Sequence, residues 1–142
     1  MDYFSVLVVD DEEDFLDTIV KRLNKRKISA IGVKSGEEAL EVIKDRLVDV
    51  VILDIKMPGG MDGIETLREI KKIQPICEVI LLTGHGSMET SIEGMKLGAF
   101  DYLLKPIKLE DLLPKLEEAF EKKDSQDQKI RSAQIKNLFQ YS

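Results

Sequence analysis

Apolar residues along the chain fall into five short runs, separated by longer segments with helical spacing. The runs are rich in Val, Ile and Leu and lie at about residues 4–9, 28–33, 49–54, 78–83 and 100–104. Continuous aliphatic runs of this length are typical of strands that are buried on both faces. The second run alternates more than the others, which suits an edge strand. The pattern therefore predicts five strands.

The segments between the runs place apolar residues three and four positions apart, as amphipathic helices do. The five predicted faces comprise Phe15, Ile19 and Leu23; Leu40, Ile43 and Leu47; Ile64, Leu67 and Ile70; Met88, Ile92 and Met95; and Leu109, Leu112, Leu116 and Phe120. We expect the stripe of Met88, Ile92 and Met95 to belong to the core. Ser35 and Glu38 have the spacing of a capping box, and Gly98 lies where a left-handed residue would end the fourth helix.

Strands that alternate with helices predict an α/β fold, in which a parallel sheet is covered on both faces. Right-handed crossovers leave few topologies, and we expect a doubly wound five-stranded sheet sandwiched by five helices, with strand order 2-1-3-4-5. The core pattern stops near Asp124, so we expect one domain over residues 1–123 and a C-terminal helical extension or tail over residues 124–142. Ile135, Leu138 and Phe139 could line one face of that extension and contact a partner or a second copy.

Composition narrows the class of protein. The 142 residues are 43% hydrophobic and 34% charged, which is typical of one globular domain. The net charge of −6 argues against direct binding to nucleic acid. Cys77 is the single cysteine, so no internal disulfide can form and a reducing compartment is favoured. Neither a signal peptide nor an apolar stretch long enough for a bilayer is evident, and we expect a cytoplasmic protein without a membrane segment.

Polar residues follow four of the five runs, at the point where each predicted strand ends. They are Asp10 and Asp11, then Asp54, Thr83 and Lys105. Ligands of doubly wound sheets bind at this edge, so these side chains would converge on one place. Three carboxylates held together raise one another's pKa, and a hard divalent cation relieves that repulsion. An aspartate can also act as a nucleophile toward phosphorus.

Each of these residues also has an ordinary structural explanation. Asp10 and Asp11 could interact favourably with a helix dipole, and Asp54 could be a polar residue at a strand end. Lys105 with Pro106 could mark a turn. These explanations would all have to hold at once, and the joint pattern therefore favours a functional site.

Taken together, the motifs resemble the receiver domain of bacterial two-component response regulators. The resemblance covers about residues 4–122 and implies a flavodoxin-like, CheY-like fold. Its pieces are Asp10-Asp11, Asp54 within Leu-Asp-Ile-Lys-Met-Pro, Asp62-Gly63, Leu-Leu-Thr83-Gly84 and Tyr102-Leu-Leu-Lys105-Pro106.

The resemblance implies a role for each matching residue. Asp54 would accept a phosphoryl group from a phosphohistidine of a sensor histidine kinase. Magnesium, or manganese in its place, would be held by Asp10, Asp11, Asp54 and the backbone carbonyl of Lys56. Lys105 would pair with the phosphoryl oxygens, Thr83 would move to hydrogen-bond them, and the rotamer of Tyr102 would follow Thr83. In the family the peptide bond between Lys105 and Pro106 is cis.

The implied activity is that of a phosphoprotein switch, not of an enzyme with an external substrate. The domain would catalyse its own phosphotransfer and a slow autodephosphorylation. It would signal to a downstream protein target or output domain through the face formed by helix four, strand five and helix five. It could be a stand-alone regulator or the N-terminal part of a larger one, and a phosphorylation-linked homodimer is a further option.

The chain departs from the family pattern at two places. Gly59-Gly60-Met61 makes the loop after Asp54 one residue longer than usual, and we expect the two glycines to absorb the extra residue through positive φ. Pro114 falls inside the predicted fifth helix, where it should remove a hydrogen bond and bend the helix. His85 flanks the site and is interpreted as a loop residue, not a metal ligand.

Other function classes fit the residues less well. A phosphohydrolase with an aspartate nucleophile would have a second Asp two residues after it, where this chain has Lys56. A receiver-like interaction module that is not phosphorylated normally lacks part of the acidic set, which is intact here. Dinucleotide binding would require a glycine-rich turn after the first strand, where Asp10 and Asp11 stand.

Overall fold

The computed structural model describes residues 4–84 and 88–140, in which five strands alternate with five helices. In chain order the elements are β1 Ser5–Val9, α1 Glu13–Lys25, β2 Ser29–Val33, α2 Gly36–Asp45, β3 Val50–Asp54, α3 Gly63–Ile73, β4 Glu78–Thr83, α4 Met88–Lys96, β5 Asp101–Leu104 and α5 Leu109–Gln140. Each strand lies within one residue of its predicted bounds. The apolar runs therefore located all five strands.

The strands form one parallel sheet in the order β2-β1-β3-β4-β5, which confirms the predicted topology. β2 pairs with one side of β1, and β3 pairs with the other side, so β1 and β3 are neighbours. Val9 pairs with Leu53, and the next residues are Asp10 and Asp54. The register of the sheet thus brings the two aspartates to the same edge.

A core layer lies on each face of the sheet. Leu67 and Ile70 of α3 belong to the layer under α2, α3 and α4, and Leu112 and Leu116 of α5 belong to the layer under α1 and α5. Every residue of β3 is buried, since both faces of this central strand are covered. Cys77 is also buried, as expected for a small apolar residue.

The prediction for the face of α4 was wrong. Met88, Ile92 and Met95 are 55%, 49% and 38% exposed. The buried side of this helix contains Ser91 and Gly94, and a Cβ on Gly94 would collide with the Leu81 side chain of β4. Because α4 lies so close to the sheet, only small residues fit beneath it, and its large apolar residues are left on the surface.

Two details of α2 also differ from the prediction. The helix ends at Asp45 because Arg46 is extended, and Leu47 is 82% exposed and does not join the helical face. Ser35 accepts a hydrogen bond from the Glu38 N–H at 3.1 Å. The Glu38 carboxylate, however, accepts from the N–H of Lys34 and not from that of Ser35, so only the serine half of the capping box forms.

The last helix, α5, continues well beyond the core to Gln140. Residues 124–140 continue this helix, and most of their side chains are exposed, including Ile135, Leu138 and Phe139. Pro114 does lie inside the helix, and the bend expected there stays a prediction. Among the residues that the structure describes, none of the helices is both long and apolar enough to cross a membrane.

Candidate functional site

The three aspartates that follow or end β1 and β3 come together in an acidic cluster, defined here as Asp10, Asp11 and Asp54. One carboxylate oxygen from each lies within 4.8 Å of the other two. Asp10 is fully buried and Asp54 is 6% exposed, whereas Asp11 is open to solvent. The cluster thus combines two buried acids with one that solvent can reach.

Backbone hydrogen bonds orient the two buried carboxylates. The Asp10 N–H donates to the carbonyl of Val33 at 3.1 Å, which extends the pairing of β1 with β2. Asp10 Oδ1 accepts from the N–H of Glu12 at 2.9 Å. On the other strand, Asp54 Oδ1 accepts from the N–H of Lys56 at 3.4 Å. Each carboxylate therefore keeps its second oxygen for other partners.

Lys105 supplies a positive charge to the acidic cluster. Its Nζ lies 2.7 Å from Asp10 Oδ2 and 3.7 Å from Asp54 Oδ2. The Lys105 N–H donates to the carbonyl of Thr83 at 2.7 Å, and the peptide bond to Pro106 is cis, as the resemblance implied. Lys105 directly follows β5, and its ammonium thus reaches both buried acids, Asp10 and Asp54.

Two contacts of Lys105 were not foreseen from the sequence. Glu12 Oε1 lies 3.5 Å from Nζ, and the ring centroid of Phe15 lies 4.9 Å from it. The apolar pattern predicts only that Phe15 lies on the buried face of α1. The spacing of Glu12 and Phe15 along the first turn after Asp11 could have suggested that both face the same side chain.

Burial and neighbouring charges shift the pKa of Asp54. Burial is the largest cause and the Asp10 carboxylate adds to it, while Lys105 and the Lys56 N–H act in the opposite sense; together they raise the pKa from 3.8 to about 6. For Lys105, burial lowers the pKa, but the hydrogen bond with Asp10 and the charges of Asp54, Asp10 and Glu12 outweigh it and hold the pKa above 10.5. The Lys105 ammonium thus stays charged, whereas ionisation of the Asp54 carboxyl is unfavourable.

The donor chemistry of the acidic cluster fits a hard divalent cation. All three side chains offer carboxylate oxygens, the ligands that Mg²⁺ and Mn²⁺ accept, and the open side leaves room for water or a phosphate oxygen. The ammonium of Lys105 leaves an excess of negative charge in the cluster, and the charges of Asp10 and Asp11 add to the effect of burial in raising the pKa of Asp54. A cation would remove that excess. The assignment of the Lys56 carbonyl as a further ligand stays a prediction.

The two residues expected to respond to phosphorylation lie on the adjacent strands. Thr83 ends β4 and is 2% exposed, and its backbone pairs with Leu104 of β5. Tyr102 is half-buried on β5 and packs against the core layer under α4. Their coupled movement stays a prediction. His85 lies outside the described residues.

The loop between β3 and α3 accommodates its extra residue as expected. Gly59 and Gly60 have φ of 73° and 90°, in the left-handed region. Asp62 then caps α3, since its Oδ1 accepts from the Glu65 N–H at 2.9 Å. A Cβ on Gly63 would lie 2.6 Å from the carbonyl oxygen of Asp54. The Asp62-Gly63 motif therefore lets α3 begin directly against the end of β3.

Comparison with known proteins identifies the class of protein that this fold and site define. The family model for the response regulator receiver domain matches residues 6–117. The chain therefore belongs to the response regulator receiver domain family, and it is a receiver domain of two-component signalling.

Individual relatives agree with this assignment. The chain is 38% identical over 118 residues to the transcriptional regulatory protein ZraR of Escherichia coli O157:H7, covering 83% of this chain and 26% of the relative. It is 38% identical over 122 residues to a putative response regulator NtrX-like protein of Rickettsia bellii, covering 85% and 26%. A receiver domain structure from Clostridium thermocellum superposes with a TM-score of 0.81 at 40% identity, covering 85% of this chain and 97% of that one.

The chain thus spans about a quarter of the length of the curated relatives, but nearly the full length of a solved receiver. The functions of the remaining parts of those longer proteins are properties of the relatives and are not assigned to this chain. The shared part is the receiver domain alone.

Proposed function

We propose that Asp54 accepts a phosphoryl group from a phosphohistidine of a sensor histidine kinase, in a reaction that requires Mg²⁺ or Mn²⁺. The observation that carries this proposal is the convergence of three carboxylates with Lys105 at one end of the sheet, where Lys105 Nζ lies 3.7 Å from Asp54 Oδ2. Within this family the proposal assigns the phosphoacceptor, metal ligands and phosphoryl partner to particular residues.

The chain contributes mainly position and charge to the reaction. Asp10, Asp11 and Asp54, with the backbone carbonyl of Lys56, would hold the cation, which when bound neutralises charge on the carboxylates and the phosphoryl oxygens. An oxygen of Asp54 forms the new bond to phosphorus while the bond from phosphorus to the histidine nitrogen breaks in line. The released imidazole keeps the electron pair of that bond. Lys105, already aimed at Asp54, pairs with the phosphoryl oxygens.

The switch follows from the charge that the modification adds, about −1.5 to −2. Thr83 would move to hydrogen-bond the phosphoryl group, and Tyr102 would follow it toward the interior. Reversing a 1:99 equilibrium would need roughly 5.5 kcal/mol of differential interaction. One hydroxyl bond and one lysine contact supply less than that, so we expect partial activity before phosphorylation.

The partners and location proposed for the chain follow from this reaction. A sensor histidine kinase would supply the phosphoryl group in the cytoplasm, a compartment that the lone Cys77 suits. The signal would pass through the face of α4, β5 and α5 to a target or output domain, where Met88, Ile92 and Leu104 are exposed apolar side chains. A homodimer formed on phosphorylation would use the same surface or the extension of α5.

We propose that the signalling domain ends near residue 123. The family match ends at residue 117, and Lys123 Nζ makes an ion pair of 2.8 Å with Asp49 at the base of β3. Beyond it the exposed helix of residues 124–140 would serve as a connector or a contact surface.

The test is exposure of the purified chain to acetyl phosphate and Mg²⁺, followed by intact-mass measurement. We expect one added phosphoryl group that is lost in mild base, and none in Asp54→Ala or with a chelator present. Asp62→Asn is the matched control, because Asn caps a helix as well as Asp does and this acid lies outside the cluster. Labelling that persists in Asp54→Ala would overturn the assignment.

A further inference from the structure

A contact between α2 and the loop after β3 lies outside the acidic cluster and is not explained by it. Glu37, in the first turn of α2, has its Oε1 2.9 Å from the N–H of Met61. Met61 is the last residue of the Gly59-Gly60-Met61 stretch that makes this loop one residue longer than usual. The contact therefore joins the lengthened part of the loop to the body of the domain.

The ends of the loop are held by the sheet and by α3. The Ile55 N–H donates to the carbonyl of Leu82 at 3.0 Å, and the Gly63 N–H donates to the carbonyl of Ile55 at 3.1 Å. Between these anchors lies Lys56, whose N–H is directed to Asp54. The position of the Lys56 backbone therefore depends on the course of a loop that is closed at both ends.

The middle of the loop has little intrinsic stiffness. Gly59 and Gly60 have positive φ, and a Cβ added to Gly59 would meet nothing within 4 Å. Glycines have the widest conformational freedom, so two of them in sequence leave many alternative paths for the chain. The hydrogen bond at Met61, directly after these glycines, removes most of those alternatives.

Close packing brings α2 and the loop near enough to each other for this contact. A Cβ on Gly36 would lie 3.3 Å from the Met61 side chain and would collide with the hydroxyl of Thr66 on α3. A Cβ on Gly60 would lie 2.9 Å from Glu37 Oε2. The backbone at Gly36 and Gly60 therefore approaches its neighbours more closely than other residues would allow, which keeps Glu37 within reach of Met61.

We propose that Glu37 is a positioning residue that ties the lengthened loop to α2 and so holds the Lys56 backbone in place for metal binding beside Asp54. Its role is to accept the Met61 N–H hydrogen bond, and its negative charge is not required. This inference rests on the proposed function, since it concerns the same metal-dependent phosphoryl acceptance.

Three substitutions at one position separate the hydrogen bond from the charge. Glu37→Gln keeps an oxygen that can accept from Met61 and loses the charge. Glu37→Asp keeps the charge and is too short to reach, and Glu37→Ala loses both. Glu38→Ala is the matched control, because Glu38 lies in the same first turn and experiences the same helix dipole, but its carboxylate binds the Lys34 N–H.

The first measurement needs no metal. Amide hydrogen exchange at Met61, followed by NMR in the presence of a chelator, should become about three- to tenfold faster in Glu37→Ala and Glu37→Asp, the range expected for loss of one hydrogen bond. Glu37→Gln and Glu38→Ala should exchange like the unmodified chain. Equal exchange in all five proteins would overturn the tether.

The second measurement is the Mg²⁺ concentration that gives half-maximal phosphorylation by acetyl phosphate. It should rise about three- to tenfold in Glu37→Ala and Glu37→Asp and stay within about twofold in Glu37→Gln and Glu38→Ala. A rise in Glu37→Gln with none in Glu37→Asp would show a purely electrostatic role and overturn the proposal. An unmodified chain that accepts no phosphoryl group would instead overturn the proposed function, and the inference with it.

Discussion

Acidic side chains have different numbers of lysine partners at the two edges of the sheet, the amino edge where the strands begin and the carboxyl edge where they end. At the amino edge, Asp49 pairs with Lys123 at 2.8 Å, and Glu78 lies 3.6 Å from Lys71 and 3.3 Å from Lys122. At the carboxyl edge, the ammonium of Lys105 lies 2.7 Å from Asp10 and 3.7 Å from Asp54, and the acidic cluster contains Asp11 as a third acid.

We infer from this difference that the acids of the amino edge stabilise the fold and that those of the carboxyl edge bind a ligand. The amino edge has at least one lysine for each carboxylate, so its charges are balanced within the chain. The carboxyl edge keeps an excess of negative charge, and burial together with the Asp10 carboxylate raises the pKa of Asp54. We infer that the excess is retained because a cation and then a phosphoryl group use it.

The largest expected effect is a difference in phosphorylation rate between two variants, each of which replaces one lysine, at one edge or the other, with a neutral side chain. Lys105→Met should slow phosphorylation by acetyl phosphate by about ten- to a hundredfold, because it removes the ammonium that we propose pairs with the phosphoryl oxygens. Lys123→Met removes the partner of Asp49 and should leave the rate within about twofold. Phosphorylation kinetics by intact mass check both, and equal rates for the two variants would refute the division between the edges.

The pH dependence of stability should reveal the cost of ionising Asp54, which is buried beside Asp10. An acid whose pKa is higher in the folded chain binds more protons when folded, so its contribution to stability is greatest at low pH and falls as the pH rises. With a chelator present, Asp54→Asn should unfold like the unmodified chain near pH 3.8 and become progressively more stable than it up to about pH 6, where the pKa lies.

Above that pH the gain should level off at about 1 to 3 kcal/mol, as the size of the pKa shift implies. Urea denaturation across the pH range provides the measurement. Addition of Mg²⁺ should reverse the order of the two proteins at pH 7, because only the unmodified chain has the complete acidic cluster. An Asp54→Asn protein that is less stable at pH 7 without metal would contradict the account.

At the amino edge, loss of a lysine should affect folding and not metal binding. Lys71 Nζ lies 3.6 Å from Glu78 and donates to the carbonyl of Cys77 at 2.8 Å. Lys71→Met should lower the free energy of unfolding by about 1 to 2 kcal/mol, since Glu78 is buried and retains Lys122. Urea denaturation should give the same loss with Mg²⁺ and with a chelator, and a loss that depends on Mg²⁺ would connect the two edges.

The smallest effect should follow removal of the exposed extension. A chain that ends at Asp124 should differ in free energy of unfolding by less than about 0.5 kcal/mol, because residues 125–140 bury little surface against the domain. It should also accept the phosphoryl group from acetyl phosphate at the same rate as the unmodified chain. A loss above about 2 kcal/mol would move the domain boundary beyond residue 123.

Much of the fold was predictable because its strands are uninterrupted apolar runs in a parallel sheet. The polar residues after Val9 and Leu53 were predictable as neighbours once the strand order was known, since the register then determines the edge they share. Periodicity failed at α4, where Ser91 and Gly94 face the sheet. Small residues contribute little to an apolar pattern, whereas close packing selects them.

Other features had no signal along the chain. The contact from Glu37 to Met61 joins residues 24 positions apart, and it depends on the path that two glycines take. Leu47 completed a helical pattern, but the helix ends at Asp45. Helix ends and loop contacts depend on tertiary geometry more than on local preference.

Titration of the metal-free chain with Mg²⁺ by calorimetry at pH 7 tests the central claim most directly. The account predicts one site per chain, abolished in Asp54→Asn, and unchanged in Asp49→Asn at the amino edge. Absence of binding to the unmodified chain, or binding that persists in Asp54→Asn, would contradict it.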